Sequence, residues 1–305
     1  MPAVLAISSA PRQLVKIPVQ SYEGRFMSQF SVKLLLKTDT LAIRDVVCDG
    51  ACRQASAEEC AAATHLVFPY RGVYVRHLGR SDAVAEANQV LFFNEAEGYR
   101  VSHPISGGDA SLDLMMDEAA VRELAPKGMV RQGNTVAFHQ QRLRIDPRTQ
   151  ALMALLRHSL NRSVAETLEA ETLALTLIRR ALGERTSHAA GASPGRRKLV
   201  DRAKVVLSTD LTRRWTLAEI GAEVGVSPVY LTQVFQQVEA MPLYRYHLRL
   251  RLARALDLLG RYDDLTALSV DLGFSSHSHF SAAFRQAYGR TPAEFQRSIR
   301  PRRGF

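Results

Sequence analysis

Cysteine, tryptophan and long apolar segments are scarce in this sequence. Its 305 residues include three cysteines and one tryptophan, and three cysteines are too few for a disulfide framework, which favours a reducing cytoplasm. No apolar run approaches the ~18 residues of a membrane-spanning helix. No basic segment precedes the short apolar stretch at the N-terminus, so we expect no membrane association and no cleaved export signal. With 46% apolar and 23% charged residues, the composition is that of a globular protein of about two domains.

Basic charge is concentrated in the last third of the chain. Residues 1–195 contain 22 Lys and Arg against 20 Asp and Glu, whereas residues 196–305 contain 18 against 10. Such a basic excess on one domain is typical of a protein that binds a polyanion such as nucleic acid. A basic surface without any such partner is the alternative that charge alone leaves open.

Residues 30–118 have the pattern of short strands separated by glycine and proline. Apolar stretches pair off around two turn sequences: 66–69 with 73–78 around Tyr70-Arg71-Gly72, and 89–95 with 99–105 around Ala96-Glu97-Gly98. The sequence therefore predicts two hairpins within a β-sandwich or barrel.

Helical spacing replaces the strand pattern from Arg148 onward. One helical run covers 150–160, and Ser163 with Glu166 forms the S-x-x-E pattern of a capping box ahead of a second run to about Leu182. The small polar segment that follows, with glycine and proline, predicts a linker over 185–197.

The basic C-terminal part contains an internal repeat. The segment LAEI at 217–220 matches LTAL at 265–268, and at the same offset of 48 residues GVS at 225–227 matches GFS at 273–275. Two apolar residues four apart follow in each copy: Leu231 and Phe235 in the first, Phe280 and Phe284 in the second. A short helix, a glycine turn and a second helix form a helix-turn-helix. Two copies of this pattern at one period are far less likely to arise by chance than one copy.

Helix start signals fix the faces of these helices. Thr216 and Glu219 form a capping box, Ser227-Pro228 is an N-cap followed by proline at the first helical position, and the corresponding helix of the second unit starts near Ser276. With the apolar pairs inward, the side chains expected to read base edges are Val229, Thr232, Gln233 and Gln236 in the first unit and His277, Ser278, Ser281 and Ala282 in the second. Gln233 suits bidentate pairing with adenine, and Arg285 suits phosphate or guanine.

A long helix is predicted between the two units, from Pro242 to about Leu259. Its ~18 residues would span roughly 27 Å, close to the ~34 Å that separates successive major-groove faces. The arginines expected to contact phosphates are Arg249, Arg251 and Arg254 on this helix, with Arg285 and Arg290 in the second unit. For the first three, packing of the aliphatic stem over the core is an equally weighted alternative.

The C-terminal third closely resembles the DNA-binding domain of the AraC/XylS family of bacterial transcription regulators. The resemblance covers about Leu199 to Arg297 and rests on RAKVVL, TLAEIGAEVGVSPVYLTQVF, MPLYRYHLRLRLARALDLL and DLGFSSHSHFSAAFRQAYGRTPAEF. It implies an all-α domain over 198–300 whose helix-turn-helix units, at 217–238 and 265–288, enter successive major grooves. Ala240 stands where the family has a helix-ending glycine, and Gln296 stands where it has arginine.

The N-terminal part is similar, less specifically, to the cupin-like sensor halves of this family, through GVYVRHLGR and NQVLFFNEAEGYRVSHPISGGD. The resemblance implies a cupin-like effector domain over 1–146, a helical dimerisation segment over 147–184, and a small-molecule effector. As candidates for the effector site we take Tyr74, Phe93, Tyr99 and His103.

Metal and enzyme chemistry find little support in the sequence. His277-Ser278-His279 is an H-x-H pattern, but it opens a helix, where residues two apart do not share a face. His65, His77 and His103 could converge across strands. Cys48, Cys52 and Cys60 lack the C-x2-C spacing of structural zinc, although nearby thiols could bind a soft metal or sense oxidant. We expect no cofactor, no metal and no enzyme activity.

The sequence and these resemblances together predict a cytoplasmic, homodimeric, effector-responsive transcription factor that binds double-stranded promoter DNA and contacts RNA polymerase, and they leave activation and repression open. Two alternatives remain at this stage: a metal-dependent cupin enzyme with a DNA-binding tail, and a protein that coats DNA without sequence preference.

Overall fold

The architecture comes from a computed structural model, which describes residues 30–50, 53–131, 133, 135–183 and 192–300. An N-terminal β domain is followed by two helices that pack on it, and a C-terminal all-helical domain completes the chain. No helix in these described ranges is long and apolar enough to cross a membrane.

Twelve strands are described in the N-terminal domain: β1 (Phe30–Lys37), β2 (Leu41–Cys48), β3 (Glu59–Cys60), β4 (His65–Arg71), β5 (Tyr74–Leu78), β6 (Ser81–Ala85), β7 (Gln89–Phe93), β8 (Gly98–Ser102), β9 (Asp109–Met116), β10 (Val130–Arg131), β11 (Ala137–Phe138) and β12 (Arg142–Arg144). The larger sheet has the order β1-β2-β9-β4-β7-β12, a second has the order β3-β8-β5-β6, and β10 pairs with β11.

The two main sheets form an open sandwich. Val67 and Phe93 of the larger sheet pack against Tyr74, Ala85 and Tyr99 of the smaller one in a single apolar cluster. Among the described strands no pairing joins β1 to β12, so the larger sheet keeps two edges. The sandwich form of the prediction fits, and a closed cupin-like barrel is not confirmed.

The two predicted hairpins are wrong, because each turn transfers the chain between sheets. β4 pairs with β7 and β9, whereas β5 pairs with β6 and β8. β7 and β8 are likewise in different sheets. The turn residues Gly72 and Ala96 have left-handed φ values of 69° and 58°. A turn of that kind reverses the chain whether the next strand stays in the same sheet or enters the other one. Turn chemistry alone therefore did not identify the strand partner.

Ten α-helices are described: α1 (Glu118–Leu124), α2 (Pro147–Asn161), α3 (Thr167–Leu182), α4 (Pro194–Thr209), α5 (Leu217–Val224), α6 (Pro228–Glu239), α7 (Leu243–Leu258), α8 (Leu265–Asp271), α9 (His277–Tyr288) and α10 (Pro292–Ile299). Helices α2 and α3 cover the larger sheet: Leu156 of α2 and Leu177 of α3 are fully buried in one core with Ile43 and Leu66.

Two helix starts differ from the predictions. α3 begins at Thr167 with Glu166 as its N-cap, and Ser163 instead has a left-handed φ of 53° in the turn that ends α2, so the predicted capping box is wrong. α4 begins at Pro194, inside the predicted linker, with the Ser193 hydroxyl accepting from the Arg196 amide. Ser193-Pro194 is the same start signal as Ser227-Pro228. The rest of the predicted linker, 185–191, lies outside the described residues.

Buried polar contacts join the first domain to the C-terminal domain. The Arg142 guanidinium of β12 contacts both carboxylate oxygens of Asp201 in α4 at 2.8 and 2.7 Å. Arg157 of α2 donates to Asp257 of α7 at 2.7 Å. His158 of α2 lies 2.9 Å from the Leu256 carbonyl. Charged partners with less than a sixth of their side chains exposed make this a specific contact, since each group left unpaired there would cost several kcal/mol.

We expect this contact to weaken in mild acid. Burial lowers the pKa of His158 from 6.5 to about 4, so the unfolded chain binds the proton more tightly between those values. Stability contributed by neutral His158 is complete above pH 6.5 and is lost as pH falls toward 4, by about 2 kcal/mol at pH 5. Urea unfolding at pH 7.5 and pH 5 should show this loss, and His158→Gln should remove that part of it. The exposed His279→Gln variant is the control, and equal pH dependence in all three proteins would contradict the expectation.

Candidate nucleic-acid interface

The first helix-turn-helix unit, α5 and α6, forms where the repeat predicts it. Thr216 and Glu219 make both hydrogen bonds of the capping box. Gly225 ends α5 with φ 74°, a left-handed conformation that glycine adopts without steric cost. The Ser227 hydroxyl then accepts from the Tyr230 amide and starts α6. Leu231 and Phe235 are fully buried, as expected from their spacing.

The second unit, α8 and α9, repeats this arrangement. Ser276 caps α9 by accepting from the His279 amide, and Phe280 and Phe284 are fully buried. Gly273 has φ 74°, and a Cβ there would lie 2.5 Å from the Thr212 carbonyl oxygen. The turn of the second unit therefore fits closely against the loop that precedes the first unit.

Most of the predicted base-reading side chains lie on exposed helix faces. Val229, with 67% of its surface exposed, lies with the exposed Gln233 and Gln236 on α6, and Ser278 and Ala282 are exposed on α9. The remaining three are half-buried and already hydrogen-bonded. Thr232 donates to the Pro228 carbonyl at 2.8 Å, and Ser281 lies 3.2 Å from Nε2 of His277.

α7 joins the two units over almost the predicted length, but three of its four arginines, Arg249, Arg251 and Arg254, are half-buried and face inward. The Arg251 guanidinium donates to the carbonyls of Leu211, Thr212, Arg213 and Gly273. These bonds hold the loop before unit one against the turn of unit two, so the phosphate role predicted for Arg251 is replaced by an internal one.

Arg249 and Arg254 of α7 lie close to the N-terminal domain. Burial and the nearby charge of Arg144 in β12 lower the pKa of Arg249, and Arg254 pairs with buried Asp257. The phosphate contact expected of Arg249 is therefore unsupported, because this side chain faces β12. Packing of α7 between two layers hides these charges, and the sequence of one helix does not show that.

Basic charge on the outer surface comes from other arginines. Arg285 of α9 and Arg290 after it are exposed, as predicted. Arg214, Arg245 and Arg297 are also exposed, and sequence reasoning did not single them out. The sequence alone does not separate these exposed arginines from Arg249, Arg251 and Arg254, because the difference between them is their burial in the structure.

The four candidate effector residues form two aromatic pairs. Phe93 and Tyr99 meet edge to face with centroids 4.9 Å apart, and Tyr74 lies 6.4 Å from His103. The guanidinium of fully buried Arg76 lies 3.9 Å from the centroid of Phe93 and donates to the Phe92 carbonyl. Arg76 therefore lies against two of the four candidates, Phe93 and Tyr99, and the effector site stays a prediction.

Histidines and cysteines are distributed differently from the patterns weighed in the sequence. His277 and His279 contact Ser281 and Ser275 separately. His65 and His77 do not join His103, which instead lies within 4.8 Å of ligand atoms of Cys48 and Asp109. Cys60 is exposed and apart from Cys48, and Cys52 lies outside the described residues. The Cys48–His103–Asp109 group had no sequence signal, because its members are far apart in the chain.

Comparison with known proteins supports the helix-turn-helix interpretation of the C-terminal domain. A family model described as a helix-turn-helix domain matches residues 220–298. The chain is 26% identical over 244 residues to the probable transcriptional regulator LumQ of Photobacterium leiognathi, covering 76% of this chain and 91% of LumQ. It is 33% identical over 97 residues to the HTH-type transcriptional regulator GadX of Escherichia coli K12, covering 31% of this chain and 35% of GadX.

Among solved structures, a transcriptional regulator with an AraC-type DNA-binding domain from Chromobacterium violaceum is 27% identical. The match covers 37% of this chain and 100% of the chain from Chromobacterium violaceum. Its TM-score of 0.34 is too low to carry a conclusion about the fold. LumQ and GadX are both described as transcriptional regulators. Residues 220–298 are therefore a helix-turn-helix domain of the AraC type.

Proposed function

We propose that this chain is a sequence-specific regulator that reads two successive major-groove segments of promoter DNA with α6 and α9. The observation that supports this is the presence of two complete units on one connecting helix, each with an exposed second helix. Sixteen residues of α7 span about 24 Å. That length, with the Arg251 bonds across the two units, gives both helices a fixed relation to one duplex.

Control by the N-terminal domain is the second part of the proposal. Its β12 and α2 contact α4 and α7 through Arg142–Asp201 and Arg157–Asp257. A signal that changes this contact would act directly on the helix that holds both reading helices. Such control requires an effector that binds two states of the chain unequally. Binding of a small-molecule effector, a homodimer, contact with RNA polymerase and a cytoplasmic location stay predictions.

Selection from randomised duplex DNA with the full-length protein at physiological salt tests the proposal. We expect one motif made of two short blocks about one helical turn apart. Recovery of no motif, with binding that only collapses as salt rises, would contradict sequence-specific reading and support the DNA-coating alternative. Repeating the selection with residues 192–305 alone separates a silent reading domain from one blocked by the N-terminal domain.

Gln233→Ala should weaken binding at one base position of the selected site. Gln233 is exposed on α6, so its loss leaves the core intact and removes a side chain able to pair with adenine in two places. We expect about 1–3 kcal/mol, or roughly 5- to 150-fold, on the site with the preferred base and little change on the site mutated at that base. Fluorescence anisotropy on both duplexes measures this.

The matched control for this measurement is Gln140→Ala, an exposed glutamine of the N-terminal domain. We expect its affinity on both duplexes to equal that of the unmodified protein. An equal loss for Gln233→Ala on every duplex would assign Gln233 to the DNA backbone and contradict base reading.

A further inference from the structure

Cys48, His103 and Asp109 form a compact group between the two sheets of the N-terminal domain. Cys48 ends β2, His103 directly follows β8, and Asp109 begins β9 opposite Cys48 in the antiparallel register. The three side chains offer one thiol, one imidazole and one carboxylate whose ligand atoms lie within 4.8 Å of one another. All three residues are buried, with 2%, 4% and 7% of their surfaces exposed.

The backbone around this group holds it in place. Gly107 and Gly108 have left-handed φ values of 103° and 68° in the loop that brings Asp109 next to His103. A Cβ on Gly108 would lie 2.1 Å from the Cys48 carbonyl oxygen, so this loop packs directly on the end of β2. The convergence of the three side chains thus follows from a close fit of three backbone segments.

The contacts within the group resemble those of ligands around a common point. Nε2 of His103 lies 2.8 Å from Oδ2 of Asp109, yet this buried oxygen receives no hydrogen bond of acceptable geometry. The Gly50 amide lies 3.4 Å from Sγ of Cys48 and donates to it, a contact of the kind made to metal-bound sulfur. A buried carboxylate needs positive charge nearby, and in the described ranges Asp109 has no ion pair with lysine or arginine.

We propose that Cys48, His103 and Asp109 bind a zinc-type divalent cation. Sulfur, nitrogen and oxygen donors together suit Zn²⁺ and its spectroscopic substitute Co²⁺ better than Mg²⁺ or Ca²⁺, which prefer oxygen alone. Three protein ligands leave one position of a tetrahedral ion for water or a further ligand. Binding would deprotonate the thiol and tie β2 and β9 of one sheet to the loop that follows β8 of the other.

Titration of the metal-free full-length protein with Co²⁺ alone tests this inference. We expect one equivalent to produce thiolate-to-cobalt charge-transfer absorption, and Zn²⁺ to abolish it by displacement. Cys48→Ser should remove the charge-transfer absorption, and Asp109→Asn should weaken metal binding at least about tenfold. Cys60→Ser, which removes the exposed thiol, should bind Co²⁺ as the unmodified protein does.

X-ray absorption spectroscopy of the Zn²⁺-loaded unmodified protein gives a test that needs no variant to fold. We expect one sulfur ligand at about 2.3 Å from the zinc ion and nitrogen or oxygen ligands at about 2.0–2.2 Å. Absence of stoichiometric binding, two or more sulfur ligands, or loss of the cobalt absorption in Cys60→Ser would overturn the proposal. None of these readouts depends on DNA, so they stand or fail separately from the proposed regulatory function.

Discussion

Lys204→Met is expected to lower the free energy of unfolding of the DNA-binding domain by about 3–5 kcal/mol. Lys204 in α4 is completely buried, and its Nζ lies 2.6 Å from Oε1 of Glu239, which is 1% exposed at the end of α6. Methionine preserves the apolar stem but leaves the Glu239 carboxylate without its closest positive charge. Arg144 lies 3.9 Å from the other oxygen of Glu239 and compensates only in part.

The single tryptophan gives a selective measurement of this loss. Trp215 lies just before α5, with its indole N–H donating to the Asp210 carbonyl, so its fluorescence during urea titration follows the DNA-binding domain. Lys198→Met makes the same substitution at an exposed position of the same helix, and we expect a change within about 0.5 kcal/mol. The double variant Lys204→Met/Glu239→Gln should recover part of the loss, because it removes the uncompensated charge. A loss below about 1 kcal/mol for Lys204→Met would show that the pair is not held as the structure has it.

Local signals predicted the C-terminal domain almost residue by residue. The capping box at Thr216 and the serine-proline start at Ser227 act within one helical turn, so the sequence carries the whole of the information. Repetition of the unit added a second, independent reading of the same pattern. Even Ala240, where a helix-ending glycine was expected, ends α6 in the left-handed conformation with φ 49°.

Long-range pairing accounts for what the sequence did not predict. Gly72 and Ala96 identify turns but not the sheet to which the next strand goes, and both hairpin predictions failed for that reason. Arg251 is a residue type that often contacts phosphate, yet its guanidinium donates to backbone carbonyls 22 to 40 residues away in the chain. Cys48 and Asp109 likewise meet only because β2 pairs with β9. Such contacts depend on topology, which one-dimensional spacing does not encode.

Ala282→Glu should reduce affinity for the selected DNA site at least about 100-fold at physiological salt, equivalent to roughly 2.7 kcal/mol. Ala282 is exposed on α9, four residues after Ser278 and three before Arg285, so the three side chains share one helix face. A carboxylate on that face would meet the phosphates and base edges that Arg285 is predicted to approach. Repulsion and the desolvation of a charge at the interface both oppose binding. Because Ala282 is exposed, we expect the free energy of unfolding to change by no more than about 0.5 kcal/mol.

Ala119→Glu is the control for this prediction, since Ala119 is also an exposed helical alanine but lies on α1 of the N-terminal domain. It adds the same charge to the same chain, so any general effect of net charge on DNA affinity appears in both variants. A loss confined to Ala282→Glu would place α9 at the DNA. Equal affinities for the two variants would instead leave α6 as the sole reading helix, and the second unit would then act through its packing on α7 and not through the groove.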